Sequence, residues 1–121
     1  MLAHARREAN LECCGLLAGR DGVISRPLPA CNILGSATRY EISSDELFSL
    51  FRQIRAQRLD HLGIYHSHPG GDNSPSQRDI ELAYYPESNY FVLSPRPDSP
   101  NPARAFRIAD GKSFELKVEI V

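Results

Sequence analysis

The strongest periodic pattern in the chain predicts a helix over Ser43–Leu59. Ser43 and Glu46 have the spacing of a capping box, in which two side chains satisfy backbone N–H groups at the start of a helix. Apolar side chains then recur at helical spacing and form one face: Leu47, Leu50, Phe51 and Ile54. A face of this kind has to pack against another part of the protein.

Apolar and alternating runs predict a series of strands. Asp-Gly pairs between two of these runs indicate hairpin turns, at Asp21-Gly22 and at Asp110-Gly111. Pro27 and Pro29 restrict the second strand to an edge of the sheet, because proline cannot donate to a neighbouring strand. The predicted strands are Cys13–Ala18, Val23–Leu28, Leu62–His68, Asn89–Ser94, Ala103–Ile108 and Phe114–Ile120.

In the last strand, alternation predicts one buried face, formed by Phe114, Leu116, Val118 and Ile120. Two further helices are expected over Leu2–Ala9 and Pro75–Tyr85. Ser74 can cap the second of these, since Pro75 suits a first helical turn. Because helices alternate with hairpin strands, the pattern favours an α+β fold, with a curved mixed sheet flanked by helices.

The composition narrows the class of protein. The 121 residues fit one domain, 1–121. A net charge of -1 creates no general attraction to nucleic acid. No apolar run is long enough to cross a bilayer, and residues 1–10 lack the features of a signal peptide. We therefore expect a cytoplasmic protein with no nucleic acid and no membrane as partner. Three cysteines, two of them adjacent, form neither a disulfide framework nor a zinc knuckle.

A cluster of potential metal ligands lies in the middle of the chain. His66 and His68 are one residue apart on a predicted strand and therefore point to the same side. Ser76 and Asp79 are three apart on a predicted helix and share a face, and a glycine-containing loop can fold this helix back over the strand end. Imidazole and carboxylate suit zinc, and three protein ligands leave a fourth position open, as in catalytic sites. We expect one zinc per chain, held by His66, His68 and Asp79.

Each part of this pattern has a simpler explanation when it is taken alone. A His-x-His pair is often just partly buried in a strand, Ser76 can serve only as a helix cap, and Glu12 can be a surface carboxylate. Their combination favours a hydrolytic site, in which Glu12 would act as the base for a water molecule. The sequence does not show whether Glu12 reaches His66.

The segment from His66 to Asp79 resembles the signature of the JAMM, or MPN-plus, metalloprotease family: His-x-His, seven residues, then Ser-x-x-Asp. Glu12, followed by Cys-Cys-Gly-Leu-Leu-Ala-Gly, is similar to the family's upstream glutamate. The resemblance covers nearly the whole chain, and Arg39-Tyr40-Glu41-Ile42 and residues 106–111 are similar to the small bacterial members. Relative to that pattern, the chain is expected to lack an initial strand and most of a helix.

The resemblance implies an MPN domain, an α/β sandwich similar to cytidine deaminases. It also implies that His66, His68 and Asp79 ligate zinc, that Glu12 is the general acid and base, and that Ser76 helps to hold the oxyanion. The expected substrate is a ubiquitin-like sulfur-carrier protein with a Gly-Gly tail, cut by hydrolysis of an amide bond at its C-terminus. A homodimer is an open alternative to a monomer.

Three other interpretations compete with this one. A non-catalytic MPN interaction module stays open, although the relatives of that type lack the ligands that this chain has. A DNA-repair-associated or phage-tail relative with the same signature also stays open. A zinc nucleobase deaminase does not fit, because the chain has neither His-x-Glu nor Pro-Cys-x-x-Cys.

Overall fold

A computed structural model describes residues 1–120. Its centre is a six-stranded sheet with the strand order β2-β1-β3-β4-β5-β6. The mixed sheet with its helices confirms the predicted α+β class. The elements are α1 (Leu2–Arg7), β1 (Cys14–Arg20), β2 (Val23–Ala30), α2 (Ser44–Ala56), β3 (Asp60–Ser67), α3 (Gln77–Glu81), β4 (Asn89–Leu93), β5 (Ala103–Ala109) and β6 (Lys112–Leu116).

The order of the strands determines where the connecting segments lie. Neighbouring strands are antiparallel except for β3 and β4, which are parallel. A parallel pair needs a connection that crosses over the sheet, and here residues 68–88 form it and contain α3. The crossover therefore begins at the carboxyl end of β3, where the two histidines of the predicted metal site lie.

Each face of the sheet has its own apolar cluster, because side chains alternate along the strands. On one face α2 packs Leu50 and Ile54 against strand residues that include Leu16 and Val92. On the other face α1 contributes Ala5 to a smaller cluster. This second face is also joined to α1 by a buried hydrogen bond between the residues His4 (Nδ1) and Tyr65 (OH), 2.8 Å long.

The longest helix, α2, begins where the sequence predicted. The Ser43 side chain caps it by accepting a hydrogen bond from the N–H of Glu46 at 3.2 Å. The reciprocal half of the predicted capping box is absent from the described residues, since the Glu46 carboxylate accepts instead from the N–H of Cys31 at 2.8 Å. Glu46 therefore ties α2 to the end of β2. No helix within residues 1–120 is long and apolar enough to span a membrane.

The prediction for the last strand was wrong in both its bounds and its burial. β6 ends at Leu116, and Phe114, Val118 and Ile120 are exposed. Leu116 alone of the four packs against the smaller cluster. β6 is an edge strand, and no described element covers the outer part of its face, so its alternation did not correspond to burial.

Gly15 in β1 provides a test of how closely this sheet is packed. A Cβ atom at Gly15 would lie 2.5 Å from the Leu28 carbonyl oxygen and 2.5 Å from the ring of Tyr65. We expect Gly15→Ala to destabilise the protein by about 1–3 kcal/mol, because the backbone and the buried ring must shift. Thermal unfolding measures this, and Gly70→Ala is the control, since a Cβ there meets no atom within 4 Å. Equal melting temperatures would contradict the packing described.

Candidate active site

Three potential ligand atoms converge at the carboxyl end of β3. The Nε2 atoms of His66 and His68 lie 3.1 Å apart, and each lies 3.1 Å from the Oδ2 atom of Asp79. His66 is fully inside the protein, whereas His68 and Asp79 are partly accessible. The structure therefore brings together the three residues that the sequence predicted as metal ligands.

The sheet and the crossover orient the two imidazoles. His66 is a residue of β3, paired with Cys14 of β1 on one side and Val92 of β4 on the other. His68 lies just beyond the strand, where its N–H donates to the Leu93 carbonyl at 2.9 Å. The His68 Nδ1 atom donates to the backbone carbonyl of Asp72. Because a carbonyl only accepts, neutral His68 carries its hydrogen on Nδ1 and turns an Nε2 lone pair toward Asp79.

Asp79 is held by the helix that it helps to start. The Ser76 side chain accepts from the N–H of Asp79 at 3.1 Å, and Asp79 Oδ2 accepts from the N–H of Ser76 at 2.9 Å. This capping box begins α3 at Gln77. The prediction that Ser74 caps a helix from Pro75 was therefore wrong, because Ser74 donates instead to the Asp72 carboxylate at 2.8 Å.

His66 and Asp79 favour the protonation states that a metal ligand needs, whereas at His68 a proton competes with a metal. Burial lowers the pKa of His66, which favours the neutral imidazole that metals require. Burial opposes a charge on His68 as well, but hydrogen bonds to Asp79 and to the Asp72 carbonyl outweigh it and raise the pKa of His68. For Asp79, burial acts against ionisation, yet Nε2–H hydrogen bonds from the two histidines hold the pKa of that carboxyl well below the usual range. His68 donates such a bond only in its protonated form, because neutral His68 has its hydrogen on Nδ1.

The distances fit a small tetrahedral ion. A tetrahedral zinc with ligands at about 2.0–2.1 Å holds neighbouring donor atoms about 3.3 Å apart, close to the 3.1 Å edges of this triangle. The His68 Nε2 lone pair and the Asp79 carboxylate would repel one another unless a proton or a cation lay between them. Zinc is therefore compatible with the site.

Glu12 lies beside this triangle. Cys14 of β1 pairs with His66, and the N–H of Ser67 donates to the Cys13 carbonyl at 3.0 Å, so the same antiparallel register places Glu12 opposite His68. Glu12 is buried, and its Oε1 atom has no hydrogen-bond partner among the described residues. Burial raises the pKa of Glu12 from 4.5 to about 7, with His68 acting against the rise and Asp79 adding to it.

Glu12 could also compete with Asp79 as a ligand. Ligand atoms of Glu12, His66 and His68 all lie within 4.8 Å of one another. We favour Asp79 as the third ligand, because its oxygen is only 3.1 Å from both imidazoles.

Comparisons with known proteins show which family the chain belongs to. The profile of the family described as prokaryotic homologs of the JAB domain matches residues 1–109. The chain belongs to this prokaryotic JAB family. A CysO-cysteine peptidase of Mycobacterium tuberculosis is 36% identical over 123 residues, which cover 100% of this chain and 84% of that protein. A desampylase of Haloferax volcanii is 34% identical, over 78% of this chain and 73% of the relative.

Solved structures show the same fold. A solution structure of a Desulfitobacterium hafniense protein superposes with a TM-score of 0.85 at 33% identity, covering 97% of this chain and 83% of that one. A JAB1/MPN domain protein from Archaeoglobus fulgidus superposes with a TM-score of 0.64 at 20% identity, over 99% and 86% of the two chains. The MPN-type fold expected from the sequence is therefore confirmed for this member of the prokaryotic JAB family.

Sequence reasoning gave Tyr40 no role at this JAB-family site. Its ring stacks on the His66 ring, with centroids 4.6 Å apart and planes 21° from parallel. His66 Nδ1 has no hydrogen-bond partner within residues 1–120, so this stacking supports the orientation of the imidazole on the side away from Asp79. In the sequence, Arg39-Tyr40-Glu41-Ile42 is notable only for its similarity to the small bacterial family members. No local pattern predicts that this segment packs against β3.

The environment of Glu12 predicts an effect on stability. A carboxyl whose pKa is raised on folding contributes most to the free energy of unfolding below its unfolded pKa of about 4.5. That stabilising contribution is lost as the pH rises through about 7. With a metal chelator present, we expect Glu12→Gln to melt above the wild type at pH 8 and close to it at pH 4. Glu87→Gln, at an exposed position, is the control for loss of one charge. A Glu12→Gln variant that melts below the wild type at pH 8 would contradict this account of the burial.

Proposed function

We propose that this protein is a zinc-dependent peptidase that hydrolyses an amide bond at the C-terminus of a ubiquitin-like sulfur-carrier protein. The observation that carries the proposal is the convergence of His66, His68 and Asp79 at 3.1 Å beside the buried carboxyl of Glu12. The names of similar proteins support the reaction class. They include a CysO-cysteine peptidase, a desampylase and, from Thermus thermophilus, a probable TtuB-protein conjugate cleaving protease.

In this proposal His66, His68 and Asp79 hold the metal. A bound zinc would supply Lewis acidity and would lower the pKa of a water molecule toward about 7. Glu12 takes a proton from the attacking water and later passes it to the leaving amine. Its raised pKa suits both steps, because a carboxyl that titrates near neutral pH can accept and return a proton.

Ser76 is proposed to stabilise the oxyanion as well as to cap α3. A hydroxyl has one hydrogen to donate and two lone pairs to accept with. Its capping hydrogen bond uses a lone pair, since it accepts from the N–H of Asp79. The hydrogen remains free to donate toward a developing oxyanion, so the two roles are compatible in one side chain.

A Gly-Gly tail suits a recessed site of this kind. Two glycines form a thin extended strand, which can approach buried groups and pair with a sheet edge by β-addition. Replacing the last glycine by valine would introduce a branched side chain next to the bond that is cut. We therefore expect a carrier ending in Gly-Gly plus one residue to be cut after the second glycine.

The ligand assignment is tested by metal content. We expect one zinc per chain in the wild type, and strong loss of zinc in His66→Ala, His68→Ala and Asp79→Ala, because each removes one of three ligands. Glu12→Gln should retain zinc. His61→Ala, at a half-buried histidine of β3 away from the ligand triangle, is the control. Loss of zinc from Glu12→Gln, with full retention in Asp79→Ala, would make Glu12 the third ligand instead.

The hydrolytic role of Glu12 and the substrate class are tested together. Glu12→Gln should reduce turnover of a Gly-Gly carrier extended by one residue by about 10²–10⁴-fold or more, since it removes the proton carrier. The same carrier with valine in place of the last glycine should not be cut by the wild type. Mass spectrometry of the carrier measures both. Equal cutting of the glycine and valine carriers would argue against this substrate class.

Ser76→Ala separates the cap from the oxyanion role. Loss of the cap should cost about 0.5–2 kcal/mol of stability, and loss of the donor should lower turnover per folded molecule by about 10²–10³-fold. Ser74→Ala is the matched control, because Ser74 does not cap α3. Zinc content is measured in parallel, since Ser76 also orients Asp79. Normal turnover in a zinc-loaded Ser76→Ala protein that melts earlier would leave capping as its sole role.

A further inference from the structure

A cavity of about 250 Å³ opens next to the ligand triangle. Asp79 forms part of its wall, and so does Tyr40, whose ring stacks on His66. Ile64 also lines it and stands two residues before His66 on the same face of β3. The cavity therefore adjoins the bond that the proposed peptidase would cut, and its volume suits one amino acid better than a folded partner.

The Gly-Gly tail of the carrier cannot fill this cavity. In a Gly-Gly tail the residue on the carrier side of the cut bond has no side chain to place in a cavity. The walls are largely apolar, with Leu16, Leu47 and Leu82 among them. A side-chain-sized apolar cavity beside the reacting bond is therefore available to the residue on the other side of that bond, which leaves as the amine.

Two arginines give the cavity a second feature. Arg39 and Arg78 both line it, and within residues 1–120 neither forms an ion pair with a carboxylate. Glu41 and Asp79 also line it, so the two positive and two negative charges cancel in the protein alone. Once a divalent cation takes up the charge of Asp79, the cavity has a positive excess.

Arg78 is close to the reacting groups. It directly precedes Asp79 in α3, and its charge acts on Glu12 by lowering the pKa of that carboxyl against the effect of burial. A guanidinium matches a carboxylate with two parallel hydrogen bonds, which few other side chains can form. The pair of arginines therefore suits an anionic planar group held a short distance from the amide being cut.

We propose that this cavity binds the leaving amino acid, with its uncharged side chain between the apolar walls and its free α-carboxylate on Arg78 and Arg39. The inference rests on the proposed function and specifies its substrate. Water adds its oxygen to the glycine carbonyl carbon, the C–N bond breaks, and the nitrogen leaves with a proton as a free amino acid. The protein would thus release single residues from a carrier and would act less well on lysine side-chain conjugates, which present no α-carboxylate next to the cut bond.

Two carriers that differ in one group test this assignment. Both end in Gly-Gly-Met, and one has a free terminal carboxylate whereas the other has a terminal amide. For the zinc-loaded wild type we expect kcat/KM to favour the carboxylate by about ten- to a hundredfold, the range of a charge-assisted hydrogen bond. Arg78→Gln combined with Arg39→Gln should bring this ratio close to one. Any effect of Arg78 on Glu12 changes kcat/KM for both carriers alike, so it cancels in the ratio of the two values.

Arg107→Gln, which removes an exposed arginine of β5, is the control and should retain the wild-type ratio. Equal rates for the two carriers in the wild type, or an unchanged ratio in the double variant, would overturn the assignment of the cavity while leaving the peptidase proposal intact. Cleavage of neither carrier by zinc-loaded protein would overturn the proposed function and the cavity assignment together.

Discussion

The Asp79 carboxylate is the group on which both the local fold and the site depend. Its Oδ2 atom accepts from the N–H of Ser76 at the start of α3 and also faces both imidazole Nε2 atoms at 3.1 Å. α3 has only five residues, too few to be stable as an isolated helix. The hydrogen bonds that hold this short helix therefore also set the position of the Asp79 oxygen beside the two imidazoles.

The sheet supplies the second constraint. Antiparallel pairing of β1 with β3 brings Glu12 opposite His68, and parallel pairing of β3 with β4 sends the chain into the crossover that contains Asp79. Glu12, the two histidines and Asp79 thus come from segments far apart in the sequence but lie at one end of the same three strands. A site mounted on paired strands has its geometry held by many backbone hydrogen bonds, whereas a site on loops alone does not.

The same site contains buried polar atoms that lack hydrogen-bond partners in the described part of the chain. Buried polar atoms in folded proteins nearly always have hydrogen-bond partners, but Glu12 Oε1 and His66 Nδ1 have none among residues 1–120. Elsewhere the two faces of the sheet carry conventional apolar clusters. Unsatisfied polar groups that concentrate at one location are a feature expected of functional sites.

The sequence alone determined the features that depend on residues close together in the chain. Ser43 and the apolar face after it predicted α2, and Asp21-Gly22 predicted the β1–β2 hairpin, whose two turn residues have positive φ angles of 53° and 75°. The His-x-His and Ser-x-x-Asp pairs indicated the ligand set by their spacing, because spacing along a strand or a helix decides which side chains share a face.

Tertiary structure decided the rest. Local pattern offered both Ser74 and Ser76 as the cap of α3. The fold uses Ser76, whose partner Asp79 also contacts the two histidines. Alternation in the last strand predicted burial where no described element covers the face of β6. The reach of Glu12, the stacking of Tyr40 on His66 and the arginine-lined cavity all depend on contacts between distant segments. Periodicity describes one segment at a time, so it cannot state which segments the register of a sheet will bring together.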